Sequence, residues 1–111
     1  MFVGSMCGYG NTDGFFNTVI GTSAGATYPS TGSRNVIIGY GVNLDAGSRS
    51  NCVLIGNGAT STKNGQVVLG NNTDTIETVL NGDVVVRGTD GIKRRIVFGA
   101  DGVCRWVVHP E

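Results

Sequence analysis

The chain has 111 residues with a formal net charge of zero; 40% are hydrophobic, 14% charged, 19 are glycine and two are proline. That length fits one domain, or one domain with a small appendage. The glycines follow no three-residue step, which excludes collagen. Apolar residues arrive in dense blocks, which argues against disorder, and the balanced charge removes the footprint of a nucleic-acid binder.

The chain opens on Phe2-Val3-Gly4, a clipped copy of a phrase that recurs four times. The full copies are Asn17-Thr18-Val19-Ile20-Gly21, Asn35-Val36-Ile37-Ile38-Gly39, Asn51-Cys52-Val53-Leu54-Ile55-Gly56 and Gly65-Gln66-Val67-Val68-Leu69-Gly70. Their closing glycines fall 17, 18, 17 and 14 residues apart. Strand formers closed by a turn residue at so short a period predict a wound β-solenoid. Because a broken repeat abuts Met1, the chain reads as a piece of a longer protein.

Between the rungs, small residues in Thr22–Thr27, Tyr40–Leu44 and Asn57–Thr60 predict a second short strand packed close to the first. The connectors Gly10–Gly14, Pro29–Ser33, Asp45–Ser48 and Lys63–Gly65 are dense in turn formers. A glycine at the end of every rung predicts positive φ, or close approach of the adjacent coil.

Beyond residue 72 the pattern changes. Thr73–Leu80 alternates as an extended exit strand and ends at Asn81-Gly82. Three strand-like runs follow, Asp83–Arg87, Ile92–Phe98 and Val103–Val108, separated by the hairpin-type turns Gly88–Gly91 and Gly99–Gly102. Period two places Ile96 and Phe98 on one face with Cys104, Trp106 and Val108, and Arg95, Val97, Arg105 and Val107 on the other. The expected division is a solenoid over 1–72, a connector over 73–82 and a three-stranded antiparallel meander over 83–111, all-β with no helix.

Neither part closes a core of its own. A narrow coil leaves flat apolar faces and strand edges open, and ordering a glycine-rich backbone costs about 1–2 kcal/mol per residue. The expectation is an intertwined homotrimer, its axis lined by Ile96, Phe98, Cys104, Trp106 and Val108.

Chemistry-bearing residues are sparse. Cys7, Cys52 and Cys104 have neither zinc nor disulfide-framework spacing and read as buried free thiols, which suggests folding in a reducing cytosol. The N-terminal residues lack the pattern of a signal peptide, no run reaches transmembrane length, and no membrane insertion is expected. Gly21-Thr22-Ser23-Ala24-Gly25 satisfies the G-x-S-x-G pattern, but that motif needs a strand-to-helix turn and a later acid and histidine; Ser23 reads as a repeat residue. Asp74, Glu77 and Asp83 are the candidate carboxylates for glycoside cleavage, which needs a facing pair across a groove; no aromatic platform accompanies them. The Asp-Gly pairs at 13–14, 90–91 and 101–102 read as turns rather than calcium loops. No catalytic, cofactor or metal-binding residue is predicted.

Binding candidates remain. Arg87, Lys93, Arg94, Arg95 and Arg105 crowd the C-terminal stretch, as a solvated face or, for Arg94, Arg95 and Arg105, as contacts for acidic glycans. Tyr9, Phe15, Phe16, Tyr28 and Tyr40 lie near connectors, where a ring either packs over a coil edge or stacks on a sugar or protein.

The blocks Asn17–Gly25 and Asn35–Gly39 resemble the head repeats of trimeric autotransporter adhesins, a left-handed β-roll of pattern Asn-Ser-Val-Ala-Ile-Gly. Similar repeats occur in tail-fibre and receptor-binding proteins of bacteriophages. Val68–Thr73 and Leu80–Gly82 resemble the phage phrase that closes the repeats. Arg94–Phe98, Asp101-Gly102 and Trp106 resemble the terminal meander of phage fibres. The extra residue at Cys52, the Gly65-Gln66 opening and the long connectors depart from the adhesin pattern, and no heptad follows Gly70. The resemblance implies a trimeric virion tail-fibre segment, folded in the host cytoplasm, that contacts neighbouring fibre segments and a host surface glycan or protein. A bacterial surface adhesin head is the alternative, and a tailspike enzyme stands third.

Overall fold

The computed structural model describes residues 1–26, 31–45, 48–71, 73–74 and 77–108. Ten short strands follow in order: β1 (Phe2–Val3), β2 (Thr18–Ile20), β3 (Val36–Ile38), β4 (Asn43–Leu44), β5 (Val53–Ile55), β6 (Thr60–Ser61), β7 (Val67–Leu69), β8 (Val85–Arg87), β9 (Lys93–Phe98) and β10 (Cys104–Val108). Among the described residues there is no helix, and so none long and apolar enough to cross a membrane. The chain divides into two compact units, Met1–Ile76 and Glu77–Glu111.

The first unit is a β-solenoid of about four turns. Its main sheet is the parallel stack β1-β2-β3-β5-β7, with β4 and β6 paired in a second, smaller sheet. Pairing is in register: Phe2, Val19, Ile37, Leu54 and Val68 stand in one column. The middle three are buried, because alternation turns the central residue of each rung inward. Facing it is a second column, each member three residues past a closing glycine: Cys7, Ala24, Val42 and Ala59. The last three are fully buried, and Cys7 packs against the cluster from its margin. Small side chains here let the two walls approach. Of the expected second strands, only β4 and β6 form; the stretch after Gly21 is a turn.

The closing glycines are obligatory for two reasons. Gly4, Gly21, Gly39 and Gly56 have φ of 135°, 126°, 135° and 125°, which L side chains rarely adopt. They also stack: a Cβ on Gly21 would fall on the carbonyl of Gly39, and a Cβ on Gly39 on the carbonyl of Gly56. A methyl group at any level would push two coils apart.

A side-chain ladder locks the other end of the three middle rungs, β2, β3 and β5. Asn17 Oδ1 accepts the Asn35 backbone N–H at 3.0 Å, and Asn35 Oδ1 accepts that of Cys52 at 2.9 Å. Their Nδ2 groups donate across the coil to the carbonyls of Gly32 and Arg49, at 2.8 and 2.9 Å. Cys52, and not Asn51, occupies the third slot, its thiol facing the Lys63 carbonyl at 3.4 Å. The sequence alignment on Asn51 is corrected accordingly. Asn51 is the preceding left-handed residue (φ 60°), equivalent to Phe16, Arg34 and Gly65. No residue is in surplus; the block begins one position later.

The second unit is the expected antiparallel meander, in the order β10-β9-β8. Phe98 faces Cys104 and Ile96 faces Trp106, as expected, while Val108 faces Arg94, so the face is apolar except for that arginine. Residues 77–80 are not a strand, so the expected exit strand does not form there.

Two substitutions separate stacking from backbone conformation. Gly41 is also left-handed (φ 61°) but has open space where a Cβ would lie. Gly41→Ala should cost about 1–2 kcal/mol from φ alone. Gly39→Ala should add an overpacking penalty of about 1–3 kcal/mol, measured as the difference in chemical denaturation.

Candidate interaction surfaces

Rungs that turn one residue inward turn its neighbours outward. On the solenoid this produces two outer columns, Thr18-Val36-Val53-Val67 and Val3-Ile20-Ile38-Ile55-Leu69. Apart from one threonine every member is aliphatic, and none is fully buried; Val67 and Leu69 are 68% and 54% exposed. Unbroken apolar faces of this kind mark contact surfaces. Sequence reading anticipated an open flank without naming these positions, although the flanking Val and Ile of each block were the signal.

The meander has its own uncovered face. Phe98, Trp106 and Val108 are 77%, 59% and 62% exposed. Cys104 is exposed beside them and Ile96 is half-buried. Cys104 is therefore not the buried thiol expected from sequence, because among the described residues of this unit the three strands form a single layer. Of the other thiols, Cys52 is buried, and Cys7 is half-buried with its Sγ 2.9 Å from the Val19 carbonyl.

The three candidate arginines already have partners. Arg94 forms a two-pronged pair with Asp90, at 2.6 and 3.1 Å, and Arg105 does the same with Asp101, at 2.8 and 3.2 Å. Arg95 contacts Asp83 at 3.3 Å. The first two belong to one motif repeated at an 11-residue step, Gly88-Thr-Asp-Gly-Ile-Lys-Arg94 and Gly99-Ala-Asp-Gly-Val-Cys-Arg105. In each turn the aspartate accepts the backbone N–H two residues on (Ile92 at 2.9 Å, Val103 at 3.0 Å) and then holds the arginine. The second glycine is left-handed, and a Cβ on the first would strike both members of the ion pair. Sequence reading took these segments as plain hairpin turns and missed the repeat. The arginines act first as turn staples.

Tyr9, Phe15, Phe16 and Tyr40 are exposed at 79%, 65%, 82% and 64%, which selects outward rings over packed ones. Tyr28 lies outside the described residues. Ser23 sits in a coil turn at φ 57°, its N–H bonded to the Ser5 carbonyl, with no strand-to-helix geometry around it. Asp74 caps a turn through Asn71 at 2.8 Å and Asp83 is held by Arg95, so both carboxylates have structural partners. An open hollow of about 590 Å³ lies beside β9, lined by Leu80, Asp83, Arg95, Ile96 and Phe98 among others. Among the described residues, no group of three or more His, Cys, Asp or Glu is placed to hold a metal ion.

Comparison of the chain with protein-family models, with curated proteins and with solved structures gave no match.

The staples carry a pH signature. Hydrogen bonds from Arg94, then from the Ile92 N–H, hold the Asp90 carboxyl down at about 2. Asp101 is lowered in the same way by Arg105 and then Val103. The folded carboxylates titrate below their ordinary value of 3.8. The stabilisation is therefore complete above that value and disappears as pH falls through the folded one. Carbon-detected NMR should place the Asp90 midpoint near about 2, and Arg94→Gln should return it toward the ordinary value.

Proposed function

We propose that the chain is a homotrimeric segment of a virion tail fibre, serving as a stiff spacer and an adhesive surface for the host cell. The observation that supports this reading most is the aliphatic outer wall of the solenoid, half-buried in its middle coils and exposed at Val3, Ile55, Val67 and Leu69 in a single chain. The apolar face of the meander adds to it. Three copies about an axis cover both kinds of surface by one symmetry operation, with no need for a second partner. The resemblance of the rungs and of the terminal meander to phage fibre repeats supports the same reading.

The adhesive part falls to Tyr9, Phe15 and Tyr40, whose exposed rings stand at the coil turns. Aromatic faces suit sugar rings and apolar protein patches alike. Presented three times, weak contacts add through avidity. Arg94, Arg95 and Arg105 keep partly exposed guanidinium groups, but their aspartate partners reduce their value as anion sites, so the rings carry more of the contact. Catalysis has no place in this reading.

Sedimentation at low micromolar concentration should give three times the 11.5 kDa chain mass. Ile55→Lys, on the outer column, should return a folded monomer with an unchanged circular dichroism spectrum. A folded wild-type monomer would refute the trimer, and a glycan array or whole-cell assay without attachment would leave the spacer role alone.

A further inference from the structure

The meander has two faces of different character. Phe98, Trp106 and Val108 lie on one, and the opposite face gathers cations. Strand pairing sets Arg87 directly across from Lys93 and Val85 directly across from Arg95, so alternation puts all four on that side. Val97 and Val107 join them from β9 and β10. Directly opposite residues have Cβ atoms about 4.5–5.5 Å apart, which makes Arg87 and Lys93 close neighbours. Arg95 follows Lys93 on the same side, about 7 Å along the strand. Arg87 is exposed, and Lys93 and Arg95 are half-buried.

Two observations set this row apart from an ordinary solvated face. Like charges directly opposite one another weaken a strand pair, and among the described residues neither Arg87 nor Lys93 has a carboxylate partner. Charges do guard open strand edges, which accounts for Arg87 on β8. Lys93 stands on the central strand, β9, where there is no edge to guard. Arg95 is incompletely satisfied as well. Its Nη1 meets Asp83 at 3.3 Å, but its Nε is buried without an acceptor. Its side chain lines the open hollow beside β9 together with Asp83 and Thr78. One carboxylate, Asp83, thus serves a row of three cations.

We infer that Arg87, Lys93 and Arg95 form a site for an acidic saccharide whose carboxylate groups bridge the opposed cations. Planar guanidinium groups bind carboxylates through paired parallel hydrogen bonds, and the ammonium adds a compact charge beside them. Val85, Val97 and Val107 supply apolar surface for the C–H groups of the sugar rings. A polynucleotide fits less well, since base stacking needs aromatic side chains and Phe98 and Trp106 lie on the other face. The site rests on the adhesive reading above and gives it a ligand class. Its centre is the partnerless pair Arg87 and Lys93, whereas Arg94 and Arg105 are held by Asp90 and Asp101.

Titration of the full chain into a fluorescent oligogalacturonate tests this, at low salt to limit screening and with oligomeric state measured in the same samples. Saturable binding is expected, absent with neutral dextran and weakened about tenfold by Arg87→Gln or Lys93→Gln, as for the loss of a hydrogen bond to a charged group. Lys63→Gln, which removes an exposed cation from the solenoid, should leave it unchanged. Lys93→Glu separates binding from folding: it sets an opposite charge across from Arg87, so it should raise the denaturation midpoint while it abolishes capture. No binding, or binding insensitive to Arg87→Gln and Lys93→Gln, overturns the site. Tighter capture of an oligothymidylate or of anionic lipid vesicles through the same residues overturns the saccharide as its ligand. A monomer that binds and is sensitive to both variants overturns the trimer and leaves the site standing. A trimer that attaches to cells but ignores the oligosaccharide leaves the fibre reading standing and overturns the site.

Discussion

Every coil of the solenoid closes on a glycine whose backbone rests against the glycine of the next coil. That contact sets the spacing between coils, and the spacing lets Val19, Ile37 and Leu54 stack in one column while Asn17 and Asn35 reach the next backbone. The glycine column and the asparagine ladder stand at opposite ends of the middle rungs. Together they fix register where the strands themselves are only two or three residues long. Strands so short hold no register alone, so the fold depends on these two lines of contacts more than on the ladders between strands.

The rungs and the meander were legible because their signals are local. A Val/Ile run closed by glycine, and a period-two run between Asp-Gly turns, each state their structure within a dozen residues. The Cys52 slot was not, because what defines it is a hydrogen bond from its N–H to Asn35 Oδ1, 17 residues away. Asn51 looks like the ladder residue and is instead the left-handed residue before the slot, a conformation that asparagine tolerates well. The Asp90–Arg94 and Asp101–Arg105 staples lay in plain view as a repeated Gly-x-Asp-Gly-x-x-Arg. A reading focused on hydrophobic period passes over a motif whose logic is polar. Cys104 was misplaced for a third reason: alternation tells which side chains share a face, but not whether anything covers it.

Surfaces left open recur at each level of the molecule. The solenoid presents aliphatic columns on its flank, and the meander presents Phe98 and Trp106 on one face. Packing within one copy explains none of these. In the meander, the turn staples neutralise Arg94 and Arg105 through Asp90 and Asp101.

Native-state hydrogen exchange followed residue by residue tests the central claim most directly. If stacked glycines and the asparagine ladder hold the coils, the amides of Gly39, Gly56, Asn35 and Cys52 should be the slowest in the first unit and should exchange together, as one opening event. Exchange at these four positions as fast as at exposed connector amides, or at four unrelated rates, would contradict it.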